Sequence, residues 1–512
     1  MLINEPASFI ETFVENLNDS LKSARPEAAL TTSQRRWLSF CLTGILLTNS
    51  ICWSGFERTF LGKYTIGGLS RMFRQGKIAW SLLLIASVSL ILMRYGITEG
   101  QPVIDETDRS RSKSTKRIHK TYRQKDKAAG GYVNGQTTVL LLLVTESVTI
   151  PVGFVFYRPD PVLSAWRKKD AELKKQGVPK KDRTPEPMRH PDYPTKLRLA
   201  LHLLYEFAKC HSDMKVTAIM ADALYGEGSF MDEASCIFGG VQTVSQLRKN
   251  QNIFFKGQKK NVEQYFNLTN KGVQEVLTVR GGQEVRVTVS SAGLKVDAHG
   301  KKCFVIAVRY DGEEDYRYLV ATDLSWRTPD IAQAYTLRWL AEVFFEDWKL
   351  YEGWGREARQ FDEEGAVRGL ILSLSPDHAL LLHPEQTARL ENRLPACTVG
   401  SLQRLAQTDS LLEFVKSILQ HQNPGGKLKE TAKAVKDLFQ LIPSAKHMSG
   451  RDLGRLEPGL MKISHIQTDF FYKIVAIFVP KYACILKRGR INSEFSLKYF
   501  ALKSNLFNYI SM

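Results

Sequence analysis

The sequence lacks several features that define common protein classes. Its seven cysteines are irregularly spaced and form no CxxC pair, which predicts reduced thiols rather than a disulfide framework or a zinc ribbon. No GxxxxGK motif followed by Ser or Thr occurs, which argues against a kinase or another nucleotide-driven enzyme. The N-terminus has no basic segment followed by an apolar core, so we expect no secretory signal and a cytoplasmic protein.

Long apolar runs are also scarce. The one membrane-like run covers residues 78–93, IAWSLLLIASVSLILM, and its sixteen residues fall short of the roughly 20 that span a bilayer core. We therefore interpret it as a buried helix and expect no membrane partner.

Acidic residues are outnumbered by basic ones. The 512 residues include 71 Lys and Arg against 53 Asp and Glu, and the formal net charge of +18 attracts polyanions such as nucleic acid. Generic surface charge, a ribosome-associated protein and a membrane-surface protein are the alternatives. Because 43% of the residues are hydrophobic and 24% are charged, we expect a folded protein, and the length suggests about two to four structural units.

The basic residues are dense in the segment 109–127, where nine Lys or Arg stand against one Asp. Side chains such as Lys113, Lys116 and Arg117 suit the phosphate backbone of DNA, a contribution that does not depend on base sequence. We predict that these three side chains bind DNA, with a solvated basic loop as the alternative.

The order of the apolar patterns predicts an α/β fold. Helical runs fill the segment up to residue 98, and three strand-like runs follow, QPVIDET, TTVLLLLVTES and VTIPVGFVFYRP. A helical stretch at 196–211 and a buried strand that ends at an acid, VTAIMADALYG, come next, which suits a mixed sheet. Residues 238–325 are again rich in strand patterns, and long helices return after them.

The strongest local pattern lies in residues 331–350, IAQAYTLRWLAEVFFEDWKL. At about 100° per residue, Tyr335, Arg338, Glu342 and Lys349 fall at about 0°, 300°, 340° and 320° and share one helix stripe. Such a stripe can present a metal ligand and phosphate contacts together. Taken alone, however, the pattern favours a plain amphipathic helix with an Arg–Glu pair four residues apart.

The spacing of these four residues resembles the Tyr-(2)-Arg-(3)-Glu-(6)-Lys signature of a large family of bacterial insertion-sequence transposases of the DDE class. Two further acids that such a family requires stand at strand ends, Asp105 in VIDETDR and Asp222 in IMADALYG. The resemblance spans roughly residues 30–460 and includes GGYVNGQ, IPVGFVFY and VRGLILSLSPDHALLLHPEQTARL.

The resemblance implies a catalytic triad of Asp105, Asp222 and Glu342 that holds two Mg²⁺ ions, with Mn²⁺ as the alternative ion. Hard oxygen ligands suit these ions, and phosphoryl transfer needs an activated oxygen, a stabilised leaving oxygen and neutralised charge at phosphorus. Glu106 and Asp108 are alternatives for the first acid, although neighbouring strand residues alternate faces. The family signature also implies that Tyr335, Arg338 and Lys349 contact phosphates.

The resemblance further implies a ribonuclease-H-like mixed sheet with a β-rich insertion before the catalytic Glu helix, plus an N-terminal all-helical domain. The expected units are a helical domain that binds DNA ends (1–98), the first part of the catalytic core (99–238) and the β-rich insertion (239–328). They are followed by the helical remainder of the core (329–380), a helical C-terminal region (381–460) and a tail without an assigned role (461–512).

The function implied by the resemblance is DNA transposition in a bacterial, nucleoid-associated setting. The protein would cleave phosphodiesters at transposon ends and join them to target DNA. Its partners would be terminal inverted repeats and target DNA, and a dimer or larger synaptic complex is expected. Two alternatives remain open, a catalytically inactive DNA-binding relic or repressor and a metal-dependent nuclease without strand transfer.

Overall fold

The computed structural model describes residues 2–112, 118–125, 130–268, 273–280, 282–354, 360 and 362–439. Lys113, Lys116 and Arg117, for which DNA contacts are predicted, lie outside the described residues, as does the tail at 461–512.

Five helices precede the first strand, as the apolar pattern of this segment predicts. They are α1 (Ser8–Ala24), α2 (Thr32–Thr48), α3 (Trp53–Thr59), α4 (Ile66–Gln75) and α5 (Trp80–Tyr95). A capping box starts α2, because Thr31 Oγ1 accepts from the Gln34 N–H at 3.3 Å and Gln34 Oε1 accepts from the Thr31 N–H at 2.8 Å. All five helices contribute buried apolar side chains to one shared core.

The membrane-like run lies within α5, where Leu83, Val88 and Ile91 are buried. Within the described ranges, no single helix is long and apolar enough to cross a membrane. Two pairs, α2 with α3 and α4 with α5, reach the required length and composition only when combined, and they are bent by 92° and 89°.

Thirteen strands follow in the described part of the chain. They are β1 (Glu99–Ser112), β2 (Tyr122–Lys125), β3 (Tyr132–Val144), β4 (Thr149–Tyr157), β5 (Lys215–Val216), β6 (Ala218–Ala221), β7 (Gln242–Leu247), β8 (Asn252–Phe255), β9 (Gln258–Asn261), β10 (Gln274–Arg280), β11 (Gln283–Val296), β12 (Lys302–Tyr310) and β13 (Arg317–Ala321).

Ten further helices alternate with these strands or follow them. They are α6 (Pro161–Lys175), α7 (Lys196–Cys210), α8 (Gly228–Ile237), α9 (Val262–Leu268), α10 (Thr328–Leu337), α11 (Trp339–Tyr351), α12 (Glu363–Leu381), α13 (Pro384–Glu391), α14 (Val399–Leu419) and α15 (Pro424–Leu438).

All thirteen strands join one mixed sheet, in agreement with the α/β prediction. β1 pairs antiparallel with β3 and parallel with β6, and β6 pairs parallel with β7. β13, β12 and β11 then extend the sheet with antiparallel pairing. At the margins β2 and β4 pair with β3, β5 with β1, β8 and β10 with β11, and β9 with β8. The β-rich segment at 239–328 therefore continues the sheet that β1 and β6 begin.

The two faces of this sheet carry different helices. Ile104 belongs to the core that includes buried side chains of α7 and α8, whereas Val103 belongs to the core that includes α10, α11 and α12. Because successive side chains of a strand point to opposite faces, Asp105 lies on the side of Val103 and Glu106 on the side of Ile104.

Aromatic packing holds α11 against that second face. Trp348 is fully buried and stacks on Trp354 with ring centroids 4.3 Å apart, an arrangement that contributes about 0.5–1.5 kcal/mol beyond burial. Its Nε1 donates to the Ser373 hydroxyl of α12 at 2.8 Å. These contacts fix the orientation of the helix that carries Glu342.

Candidate active site

Asp105 occupies the middle of β1 and not the end of a strand as predicted, because pairing with β3 continues beyond it to Ser112. It is almost completely buried, with 8% of its surface exposed. Its Oδ1 accepts a hydrogen bond from the Glu106 N–H at 2.8 Å. Its Oδ2 accepts from Arg338 Nη1 at 2.6 Å. The carboxylate is thus held on both oxygens, and it faces α11 as the alternation along β1 requires.

Arg338 joins two of the predicted acids. Its Nη1 binds Asp105, and its Nη2 donates to Glu342 Oε1 at 2.7 Å. The Asp105 and Arg338 side chains are each 11% exposed, whereas that of Glu342 is 56% exposed. The guanidinium therefore carries a buried ion pair on one side and a more exposed one on the other.

The helix that was predicted to be continuous is interrupted at Arg338. The residue has φ −57° and ψ −29°, and it lies between the end of α10 at Leu337 and the start of α11 at Trp339. Despite the break, the side chains of Arg338 and Glu342, which are four residues apart in the sequence, are in contact, as their shared helix stripe predicts. The simple angular calculation did not predict the break.

Asp222 follows β6 directly. The pairing of Ile104 with Ala221 in the parallel β1 and β6 ladder makes Asp105 and Asp222 the next residues of two neighbouring strands. The Asp222 carbonyl oxygen accepts from Ser245 Oγ at 2.8 Å. The half-buried Asp222 carboxylate makes no hydrogen bond or salt bridge with any residue that the structure describes.

After Asp222 the chain leaves the sheet by a turn in which Gly226 passes close to the backbone of β7. Residues Ala223–Tyr225 form a short turn, and Gly226 passes over β7. A Cβ atom on Gly226 would lie 2.9 Å from the carbonyl oxygen of Gln246, which is too close for a side chain. Glycine at this position therefore permits the turn that ends β6 at the acid.

The electrostatic environment shifts the pKa values of three side chains of the site, Asp105, Arg338 and Tyr335. Burial raises the pKa of Asp105 to about 6, and the Arg338 guanidinium opposes that shift without cancelling it. Burial lowers the pKa of Arg338, but the surrounding Tyr335, Asp105, Asp222 and Glu342 outweigh it and raise the pKa above its usual value. Burial also raises the pKa of Tyr335 to about 12.

Tyr335 packs beneath Arg338. Its ring is 4% exposed, and the Arg338 guanidinium lies 5.7 Å from the ring centroid. The Tyr335 hydroxyl donates to Gln246 Oε1 on β7 at 3.2 Å. In this arrangement Tyr335 supports the guanidinium and ties α10 to the sheet.

Lys349 lies about two helical turns beyond Glu342, in the last turn of α11. Its ammonium lies 5.7 Å from the ring centroid of Phe345. A phosphate contact by Lys349 stays a prediction.

The alternatives for the first acid lie elsewhere on β1. Glu106 Oε1 accepts from Lys196 Nζ of α7 at 2.5 Å, and its Oε2 accepts from the Tyr225 hydroxyl at 3.3 Å. Asp108 Oδ1 accepts from Thr137 Oγ1 of β3 at 2.5 Å. Of the three acids, the structure places Asp105 beside Arg338 and Glu342.

The donor set suits Mg²⁺ or Mn²⁺ in its chemistry, because the three predicted ligands are all carboxylates and the Asp222 carboxylate has no described partner. In the described ranges, however, no three His, Cys, Asp or Glu side chains lie close enough together to hold a metal ion. Arg338 bonds to both Asp105 and Glu342 in this arrangement. Joint coordination by these acids would therefore require Arg338 to turn away from at least one of them.

A pocket beside Arg338 and Glu342 contains residues that the sequence patterns did not single out. It has a volume of about 110 Å³ and is lined by three guanidinium groups and three aromatic rings, those of Arg280, Arg317, Arg338, Tyr310, Tyr335 and Trp339. Three of the six come from strands β10, β12 and β13, far from the signature in the sequence. No local spacing pattern could have indicated them.

Comparison with known proteins supplies an independent observation. Residues 27–265 match the family model of the DDE superfamily endonucleases. This match supports a DDE transposase family for the chain. It includes Asp105 and Asp222 and ends before the helix that carries Glu342. No curated protein matches the chain.

Two of the solved structures to which the chain is similar are transposase complexes. The chain is similar to a piggyBac transposase synaptic complex with hairpin DNA, at 10% identity over 86% of this chain and 85% of that one, with a TM-score of 0.38. It is also similar to the Drosophila P element transposase strand transfer complex, at 11% identity over 86% and 99%, with a TM-score of 0.21. At these TM-scores neither likeness bears on the fold or the function.

Proposed function

We propose that this protein is a DDE-type DNA transposase that cleaves phosphodiester bonds at transposon ends and joins the freed 3′ hydroxyl to target DNA. The observation that carries the proposal is the placement of Asp105 and Asp222 on adjacent parallel strands, with Glu342 linked to Asp105 through Arg338. The match of residues 27–265 to the DDE endonuclease family supports it.

The sheet supports a ribonuclease-H-like arrangement. Two acids come from the adjacent strands β1 and β6, and the third comes from the later helix α11, which packs on the same face. The β-rich segment lies between β6 and α11 in the sequence, as the insertion in the resembled family does.

Asp105, Asp222 and Glu342 would hold Mg²⁺, or Mn²⁺ as the alternative, in an active site that uses two ions. The bound ions would supply charge neutralisation at phosphorus and activation of the attacking oxygen. The chain itself contributes rigid positioning, because Asp105 is buried and bonded on both oxygens. Arg338 can exchange a carboxylate for a phosphate, since its planar guanidinium binds either group with two parallel hydrogen bonds.

DNA ends and target DNA are the partners that this chemistry requires. The net charge of +18 favours a polyanionic partner, and Lys349, Lys113, Lys116 and Arg117 would add phosphate contacts. Pairing two transposon ends would require at least a dimer. The same acids could also support a nuclease without strand transfer, an alternative that the description of the matching family as endonucleases favours.

Substitution of Glu342 should impair DNA cleavage without impairing DNA binding. Glu342→Gln removes a carboxylate but keeps the size of the side chain, so we expect cleavage of a duplex carrying the terminal repeats to fall at least about 100-fold. Binding of the same duplex should change less than about three-fold, because the charged DNA contacts remain.

The matched control is Glu346→Gln, which changes an exposed acid one turn further along α11. It should leave cleavage and binding unchanged. Equal losses of binding and cleavage in Glu342→Gln would contradict the assigned role of Glu342. Cleavage without joined products in the wild-type protein would favour the nuclease alternative.

A further inference from the structure

The pocket beside the acidic site contains one arginine, Arg280, that forms no ion pair with a described acid. Arg338 binds Asp105 and Glu342, and Arg317 Nη2 donates to Glu313 Oε1 at 2.5 Å. The side chain of Arg280, at the end of β10, makes no hydrogen bond or ion pair with any residue in the described part of the chain. Its five N–H donors are available to a ligand.

Two aromatic rings orient this guanidinium. The Arg280 group lies 5.3 Å from the ring centroid of Tyr310 on β12 and 4.9 Å from that of Trp339 on α11. Tyr310 is buried, and its hydroxyl is hydrogen-bonded to Thr336 at 2.8 Å. Cation–π contacts restrict the group without using its hydrogen-bond donors. A ligand would therefore meet a guanidinium that is already ordered.

The backbone that carries Arg280 is also tied to the signature helix. The Val279 N–H donates to Gln333 Oε1 at 2.8 Å, and Gln333 Nε2 donates back to the Val279 carbonyl at 3.3 Å. Gln333 belongs to α10, the helix that leads to Arg338. The end of β10 is thus held in register with the residues that line the pocket.

We propose that Arg280 binds a phosphate of the DNA strand next to the scissile phosphodiester. A planar guanidinium with free donors binds phosphate with two hydrogen bonds, and the pocket places it beside Arg338 and Glu342. This inference rests on the proposed transposase function and extends its DNA-binding residues to the hairpin of β10 and β11. Arg280 is a positioning residue, because it sets the DNA strand relative to the acids.

Arg280→Gln tests the assignment, with Arg286→Gln as the matched control. Arg286 lies on the adjacent strand β11, is exposed, and faces Glu275 at 3.9 Å. For a duplex carrying the inverted repeats that flank the coding sequence, Arg280→Gln should weaken binding about ten-fold. It should also lower the slope of log binding constant against log salt concentration by about one. Arg286→Gln should leave the affinity within about two-fold of the wild-type value and the salt slope unchanged.

Arg280→Lys adds a test of geometry, because lysine keeps the charge but loses the planar fork. This variant should retain the salt slope and recover only part of the affinity. Far-UV circular dichroism of each variant shows whether it is folded. Phosphate-ethylation interference provides a second measurement, in which ethylation of one phosphate should weaken binding by the wild-type protein but no longer weaken binding by Arg280→Gln.

The outcomes separate this inference from the function on which it rests. Wild-type binding that Arg280→Gln leaves unchanged in affinity and salt slope would overturn the assignment of Arg280 alone. An interference pattern that is identical in the wild-type protein and Arg280→Gln would also overturn it. Failure of the wild-type protein to bind any terminal-repeat duplex would overturn the proposed function, and this inference with it.

Discussion

A pair of buried acids outside the candidate site should make the stability of the protein depend on pH. Glu352, at the end of α11, is fully buried, and Asp377 in α12 is 6% exposed. Both oxygens of Glu352 and Oδ2 of Asp377 lack a hydrogen-bond partner among the residues that the structure describes. Burial raises the pKa of Asp377 to about 8, and burial together with the nearby Asp377 and Asp347 raises the pKa of Glu352 well above its usual value.

The sign of the pH effect follows from the tighter proton binding in the folded state. An aspartate that binds its proton more tightly when folded loses stabilisation as the pH rises from its unfolded pKa towards its folded pKa. For Asp377 that interval runs from 3.8 to about 8. Each pKa unit corresponds to about 1.4 kcal/mol, so the loss has an upper limit of roughly 6 kcal/mol, which local relaxation would reduce.

Asp377→Asn should remove this dependence, because the amide stays neutral at every pH. We expect the variant to be more stable than the wild-type protein by about 2 kcal/mol or more near pH 8, with the difference vanishing or reversing near pH 5. Urea unfolding monitored by tryptophan fluorescence at both pH values measures this difference.

Glu172→Gln is the control, since it changes an exposed acid on α6. Its effect on stability should be small and nearly equal at the two pH values. A stability difference between Asp377→Asn and the wild-type protein that is the same at pH 5 and pH 8 would refute the reasoning. Destabilisation of Asp377→Asn at pH 8 would refute it as well.

Two further predictions concern the first acid and the basic segment. In a cleavage assay, Asp105→Asn should abolish cleavage, whereas Glu106→Gln should retain at least about a tenth of the wild-type activity. The reason is that Glu106 faces Lys196 and Tyr225 on the other side of the sheet. The reverse order of activities would move the first acid to Glu106. Neutralising Lys113, Lys116 and Arg117 together should lower the salt slope of DNA binding by up to about three, and an unchanged slope would remove this segment from the interface.

The sequence could predict the parts of the site that depend on short spacing and, for Asp222, on the end of a strand, whereas Asp105 lies in the middle of its strand. The i to i+4 contact between Arg338 and Glu342 follows from helical geometry, and the alternation of side chains along β1 separates Asp105 from Glu106. The mixed α/β character was also predictable, because the apolar patterns change from helical to strand-like after residue 98.

Other features depend on contacts between segments that are distant in the sequence. Arg280 meets Trp339 only because β10 is held against α10, and no local spacing encodes that contact. The ion pair of Asp105 with Arg338 joins residues 233 positions apart. The continuation of the sheet from β7 into β13 likewise depends on strand pairing, which the apolar pattern of each strand leaves open.

The central claim is that the acids on β1, β6 and α11 catalyse metal-dependent DNA cleavage and joining. Its most direct test is incubation of a supercoiled plasmid that carries the inverted terminal repeats with Mg²⁺ and either the wild-type protein or Asp222→Asn. We predict cleaved and joined products with the wild-type protein that require Mg²⁺ and disappear in Asp222→Asn, while both proteins bind the repeats. Products that persist in Asp222→Asn, or wild-type protein that binds the repeats without cutting them, would contradict the claim.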